Sequence, residues 1–251
     1  MSGPLTDRLA LVTGAGGRLG SAIAIALAEA GARVVLSGRN EDRLAEVAQR
    51  VASHAQTILC DLATATGADE LFAQLPEGPD VLVNNAGIAS SRQFGAITAA
   101  DLHDLFALNV VAPVLCSQHA ARRMRERGGG KIINIGSIYG SVAPDPAVYE
   151  GADGMVRSGL PYGLTKAALL HGTRDLAVRL AEANIQVNMV SPGGIEADQP
   201  EAFQRSYAAR TPAGRMAQPE DVVGAILFLS GPGSDYVTGQ NLLVDGGFTA
   251  W

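Results

Sequence analysis

Cysteine is scarce in this chain. There are 2 among 251 residues, Cys60 and Cys116, far apart and each inside an apolar run. That excludes a disulfide scaffold and a multi-cysteine zinc site, and it points to a reducing compartment. Basic charge is also short: 18% of residues are charged, the formal net charge is −6, and no block of Lys or Arg occurs. Nucleic acid and anionic membrane surfaces are therefore excluded as partners. The segment Met1–Arg8 lacks the charged and apolar regions of a signal peptide, and no apolar run reaches membrane-spanning length. The expectation is a soluble, cytoplasmic protein. His54, His103, His119 and His171 fall in separate segments without ligand spacing, so no metal site is expected. The 30 glycines and 12 prolines are dispersed through the chain, which excludes collagen and a disordered linker.

What is present is apolar sequence, 47% of the chain, enough for a substantial core. Short apolar runs alternate with helix-spaced segments. Strands are predicted at Leu9–Thr13, Arg33–Ser37, Thr57–Cys60, Val81–Asn84, Lys131–Ile135, Gln186–Val190 and Asn241–Val244. Helices are predicted at Leu19–Ala30, Glu41–Ala52, and near 101–126, 162–183 and 219–230. The pattern implies an α/β fold: a doubly wound, seven-stranded parallel sheet with helices on both faces, in one domain over residues 1–251. Two irregular stretches follow strands, a substrate loop at about 143–161 and a lid at about 193–214. In such a sheet ligands bind at the carboxyl ends of the strands.

The first strand runs into Thr13-Gly-Ala-Gly-Gly-Arg-Leu-Gly20, and a helix starts inside that run. Bare backbone and a helix N-terminus there suit a dinucleotide pyrophosphate, and the missing Gly-Lys-Ser/Thr excludes an ATP-type loop. The second strand ends Ser37-Gly-Arg39 without the carboxylate that would bind an NAD ribose; Arg39 suits the 2′-phosphate of NADP instead. Tyr162-Gly-Leu-Thr-Lys166 places a phenol and an ammonium on one helix face, where the cation is expected to lower the phenol pKa from about 10.

Together these segments resemble the short-chain dehydrogenase/reductase family, and the resemblance runs over essentially the whole chain. It implies a Rossmann-type three-layer fold and hydride transfer between a ketone and a secondary alcohol, an enzyme acting on CH–OH groups. NADP(H) is the expected cofactor, with NAD(H) second. The implied catalytic residues are Asn109, Ser137, Tyr162 and Lys166, with Tyr162 as acid/base and Asn109 holding a water that connects Lys166 to solvent. The implied cofactor contacts are Gly14, Gly16, Arg18, Leu19 and Gly20 in the phosphate loop, Arg39 at the ribose, Asp61 and Leu62 at the adenine, and Asn85, Ala86 and Gly87 after the fourth strand. Tyr162, Lys166, Pro192, Gly193 and Ile195 would serve the nicotinamide end. Arg18 stands where the family usually has a glycine, and Ala197 where it often has a threonine.

The family spacing from Ser137 would put the tyrosine near Tyr149, but the fourth residue after Tyr149 is Asp153, and an anion would raise its pKa. Tyr162 is therefore assigned, with an insertion inside Ala143–Gly159. Asp145, Glu150, Asp153 and Arg157 in that loop suggest a polar or sugar-like substrate. Two alternatives are a 3-oxoacyl thioester reductase and an inactive cofactor-binding regulator. The resemblance also implies a homotetramer, in which a neighbouring subunit covers the terminal aromatics Phe248 and Trp251.

Overall fold

The computed structural model describes residues 3–51, 55–89, 92–149 and 159–251. Seven parallel strands form one sheet in the order β3-β2-β1-β4-β5-β6-β7. They are β1 (Leu9–Thr13), β2 (Arg33–Gly38), β3 (Ala55–Leu59), β4 (Val81–Asn84), β5 (Gly130–Ile135), β6 (Ile185–Pro192) and β7 (Asn241–Val244). Strand order reverses between β1 and β4, which opens a crevice at their carboxyl ends.

The inner strands are apolar on both sides because helices cover both, while the edge strands β3 and β7 are partly exposed. In β1, Leu9 and Leu11 face one core, with Leu71 and Phe72 of α3 (Gly67–Ala73) and Cys116 and Met124 of α5 (Ala112–Glu126). Ala10 and Val12 face the other, with Ile23 and Leu27 of α1 (Arg18–Glu29), Leu44 and Val47 of α2 (Glu41–Val51), and Ile226 of α8 (Pro219–Ser230). A third, smaller cluster holds Ile138, Val148, Phe203, Tyr207, Met216 and Phe248. It joins the loop that follows β5 to α7 (Glu201–Arg210).

Several expectations are corrected. Helix α3 lies in a segment without a predicted helix, and α7 occupies a stretch read as irregular. Only the lid's flanks lack regular structure; Phe203 and Tyr207 repeat every fourth residue and bury one side of α7. Helix α4 (Ala99–Phe106) passes through a wide π-turn at Ala107–Val111 directly into α5. The continuous helix Ala99–Glu126 is, by length and composition, long and apolar enough to cross a membrane. In this fold its Cys116, Ala120 and Met124 are buried against the sheet. Phe248 needs no neighbour: it is 3% exposed and stacks on Tyr207 with ring centroids 4.8 Å apart. Trp251 is 70% exposed, but its indole N–H donates to the Arg210 carbonyl at 3.1 Å.

Candidate active site

A turn that carries the chain from β1 into α1 with no room for side chains forms the phosphate end. Gly14 has φ +64°, a conformation that L side chains rarely adopt, and a Cβ on Gly20 would sit 2.2 Å from the Gly14 carbonyl oxygen. Asn85 braces the turn: its Nδ2 donates to the carbonyls of Thr13 at 3.0 Å and Gly14 at 3.1 Å. The Thr13 hydroxyl accepts from the N–H groups of Asn85 and Ala86, both at 3.0 Å. Asn84 ties β4 to β5 through Asn134 at 2.9 Å. The cleft above this turn has a volume of about 430 Å³. Gly14, Gly16, Leu19 and Gly20 line it from the first turn, Arg39 from just after β2, and Asn85, Ala86 and Gly87 from just after β4. These features fit the pyrophosphate and ribose of a dinucleotide.

Three expected contacts are arranged differently. Arg18 is the first residue of α1, and its guanidinium turns to Gln218 Oε1 at 3.4 Å, bordering a different hollow. The glycine-to-arginine departure is tolerated because this position faces the flank of α8, not the phosphates. Asp61 lies 3.8 Å from Arg39, an ion pair between two solvent-exposed groups. Leu62 is buried in the core against α3 and does not line the cleft.

At the other end Ser137, Tyr162 and Lys166 converge. Ser137 is in extended backbone ahead of a single helical turn, Ile138–Gly140, and its Oγ accepts from Tyr139 N–H at 3.2 Å. Tyr162 sits in the first turn of α6 (Leu160–Leu180), with the Ser137 hydroxyl near enough to favour its phenolate. Lys166, one turn on, donates to the Ile135 carbonyl at 2.8 Å, with its Nζ 5.6 Å from the centre of the Tyr162 ring. Gly140 makes the approach possible: a Cβ there would lie 2.9 Å from the Lys166 carbonyl.

Burial decides both titrations. It pushes the Tyr162 phenol above its ordinary range, only partly opposed by the Ser137 hydrogen bond, and it lowers the Lys166 ammonium to about 8. The expectation of a lowered phenol is thus corrected: desolvation of the phenolate dominates, opposed only by the Ser137 hydroxyl.

Asn109 stands in the π-turn. Its Oδ1 accepts from Ile88 N–H at 2.9 Å, and its Nδ2 donates to the Ile88 carbonyl at 2.9 Å and to Thr165 Oγ1 at 3.0 Å. Both amide hydrogens are committed, so any water it holds is met through an oxygen. A Cβ on Gly87 would be 3.1 Å from Asn109 Oδ1 and 3.8 Å from Lys166 Nζ. Gly87 therefore connects the nucleotide cleft to the catalytic group.

Gly193 lines a separate hollow of about 220 Å³ with Tyr207 and Asp245, not the main cleft. Ile195 pairs with Ala217, and Ala197 donates its N–H to Gln199 Oε1 at 2.6 Å, engaging the site of the missing threonine. Tyr139 and Arg43 are residues that the sequence reading missed. Tyr139 shares a hydrogen bond with Tyr149 at 3.1 Å, and Arg43 lines the nucleotide cleft. Glu150, Asp153 and Arg157 lie outside the described residues.

A family model described as enoyl-(acyl carrier protein) reductase matches residues 14–249. The chain is also 33% identical over 254 residues to a 3-oxoacyl-[acyl-carrier-protein] reductase of Aquifex aeolicus, covering 97% of this chain and 98% of the relative. The chain belongs to the short-chain dehydrogenase/reductase family. A second relative within it is gluconate 5-dehydrogenase of Gluconobacter oxydans, 35% identical over 258 residues, covering 98% and 96% of the two chains. Among solved structures, a gluconate 5-dehydrogenase from Burkholderia cenocepacia in complex with NADP and tartrate superposes with a TM-score of 0.86 at 35% identity. The match covers 98% of this chain and 97% of that one. For a short-chain dehydrogenase/reductase the unusual features are Arg18, Ala197 and the extra tyrosine at position 149.

Proposed function

We propose that this protein is an NADP(H)-preferring oxidoreductase that interconverts a ketone and a secondary alcohol, with Tyr162 as the proton donor and acceptor. The observation that carries this reading is the convergence of Tyr162 with buried Lys166, whose Nζ lies 5.6 Å from the phenol ring, and with the Ser137 hydroxyl just after β5. When bound, the nicotinamide supplies the hydride. Ser137 holds the substrate oxygen and Tyr162 passes a proton to it as negative charge develops there. Lys166 places a positive charge beneath that oxygen and offers donors to the ribose. Asn109 fixes the Ile88 segment against α6 and leaves oxygen lone pairs for a water that resupplies the proton.

Arg39 supports the NADP preference, because a planar guanidinium suits a phosphate monoester and no carboxylate stands at the end of β2. A small hydroxylated ketone or sugar acid is the substrate class favoured by the hydrogen-bonded Tyr139 and Tyr149 hydroxyls, and the gluconate 5-dehydrogenase relatives support it. The reductase of Aquifex aeolicus supports a second reading, a 3-oxoacyl thioester substrate. We place the enzyme in the cytoplasm as a homotetramer. Exposed apolar side chains occur in two regions, Val111 and Leu164 where the Ala107–Val111 turn meets α6, and Phe228, Leu242 and Leu243 on α8 and the edge strand β7 that it contacts. Two such regions suit the two kinds of contact in a 222 assembly.

A panel of hydroxylated ketones, sugar acids and 3-oxoacyl thioesters, assayed with NADPH and NADH through nicotinamide absorbance, tests the reading. Turnover of a hydroxylated ketone with NADPH supports it. Turnover of thioesters alone selects the second reading, and no turnover of any ketone refutes both.

A further inference from the structure

Two arginines line the nucleotide cleft, Arg39 and Arg43, and among the described residues no carboxylate lines it with them. Their situations differ. Arg39 is engaged with Asp61 at 3.8 Å. Arg43, in the first turn of α2, has no ion-pair partner among the described residues. Its backbone N–H is bonded to Asn40 Oδ1 at 2.9 Å, which fixes the start of the helix. Glu41 and Asp42 share that turn but do not border the cleft.

Helix α2 reaches the phosphate loop because of one glycine. A Cβ on Gly16 would sit 3.0 Å from the Cβ of Arg43, tighter than ordinary packing, so bare backbone at position 16 is what lets Arg43 come this close. The loop's own arginine, Arg18, turns to Gln218 on the far side of α1. Positive charge that this loop does not direct into the cleft is thus supplied from α2.

We propose that Arg43 is a second guanidinium for the 2′-phosphate of NADP(H), acting beside Arg39. This rests on the NADP preference proposed above. A phosphate monoester near neutral pH carries close to two negative charges and several acceptor oxygens, and two guanidinium groups approaching from different elements match it better than one. Arg39, already facing Asp61, brings a partly neutralised charge; Arg43 brings an uncompensated one.

The test uses adenosine 2′,5′-bisphosphate and adenosine 5′-monophosphate as probes, with affinities measured by calorimetry on the full chain. The native protein is expected to prefer the bisphosphate, and Arg43→Ala to narrow that preference roughly tenfold while leaving the monophosphate nearly unchanged. Arg43→Lys should restore part of it. An Arg43→Ala protein with native preference, while Arg39→Ala loses it, overturns the proposal. So does an equal weakening of both probes, which would put the guanidinium on the 5′-phosphate. Equal affinities in the native protein would instead refute the NADP preference itself.

Discussion

The phenolic oxygens of Tyr139 and Tyr149 lie 3.1 Å apart, within hydrogen-bonding distance. Tyr139 also donates its backbone N–H to Ser137, and Tyr149 packs on Phe203 of α7 with ring centroids 5.2 Å apart. The pair therefore links Ser137 to α7. Tyr149, at the spacing where the acid usually stands, has become part of the wall. Tyr162→Phe should abolish most turnover with cofactor affinity nearly intact, because only the proton donor is lost. Tyr149→Phe should keep kcat on a simple ketone and raise KM for a hydroxylated one. Steady-state kinetics on both substrates check this; an inactive Tyr149→Phe beside an active Tyr162→Phe would reverse the assignment.

The pH dependence follows from burial. Below about 8 Lys166 carries its proton, and above that it loses it. Tyr162, held above its ordinary range, stays protonated through the same interval. The kcat/KM for ketone reduction should be level on the acid side and fall as the pH passes about 8, in step with loss of the Lys166 charge. Lys166→Met should be slow and lack that falling limb. A native profile that stays level well above this point would contradict the assignment.

Gly20→Ala should weaken NADPH binding and lower stability together. The added methyl would meet the Gly14 carbonyl oxygen at 2.2 Å and Asn85 Nδ2 at 2.6 Å, so the turn must open. Overpacking of this kind costs about 1–3 kcal/mol. Calorimetric titration and thermal unfolding read the two effects; Gly224→Ala, inside α8 with nothing within 4 Å of the new carbon, is the control, expected to leave NADPH binding unchanged and to raise stability by about 0.5–1 kcal/mol.

Arg210 gathers three segments. Its Nε donates to Asp145 at 3.2 Å, and its guanidinium carbon lies 5.1 Å from the Phe248 ring and 5.4 Å from the Trp251 ring. Asp145→Asn should lower stability by less than about 1 kcal/mol, as expected for a partly exposed pair. Arg210→Ala should cost more, because it also removes the contacts to both rings. Thermal unfolding of the two variants separates these effects, and equal shifts would show that the rings contribute nothing.

Light scattering at micromolar concentration should give about four times the 25.9 kDa chain mass. Val111→Glu, on one exposed apolar face, should reduce that mass without changing the fold seen by circular dichroism. A native mass near that of one chain refutes the tetramer.

The sheet was legible in the sequence because its inner strands, such as β1 and β4, are buried on both faces and read as continuous apolar runs between glycine-rich turns. Leu9–Thr13 and Val81–Asn84 keep the same bounds in the structure. Helix α3 is only seven residues long, too short to repeat its apolar spacing clearly. Helix α7 buries Phe203 and Tyr207 in a cluster of its own beside the lid, away from the two sheet cores. At the site, Tyr162 and Lys166 announce themselves by their spacing of four. Arg43 does not, because its proximity to the cleft depends on a missing side chain at Gly16, twenty-seven positions earlier. The direction of the Tyr162 shift was hidden for a related reason: desolvation depends on everything packed around a group, and a motif names only two of the participants.

The wide turn at Ala107–Val111 holds one residue more than a regular helical turn. Each residue of an α-helix advances it by about 100°, so this surplus resets the angular phase of everything after it. Before the reset, Leu105 faces inward; within it, Asn109 reaches Ile88; beyond it, Cys116, Ala120 and Met124 point into the sheet core. Catalytic anchor and structural core are thus locked to one another in phase. Loss or gain of one residue along this rod would swing either the asparagine or the core face out of alignment, so its length is set as tightly as its buried side chains.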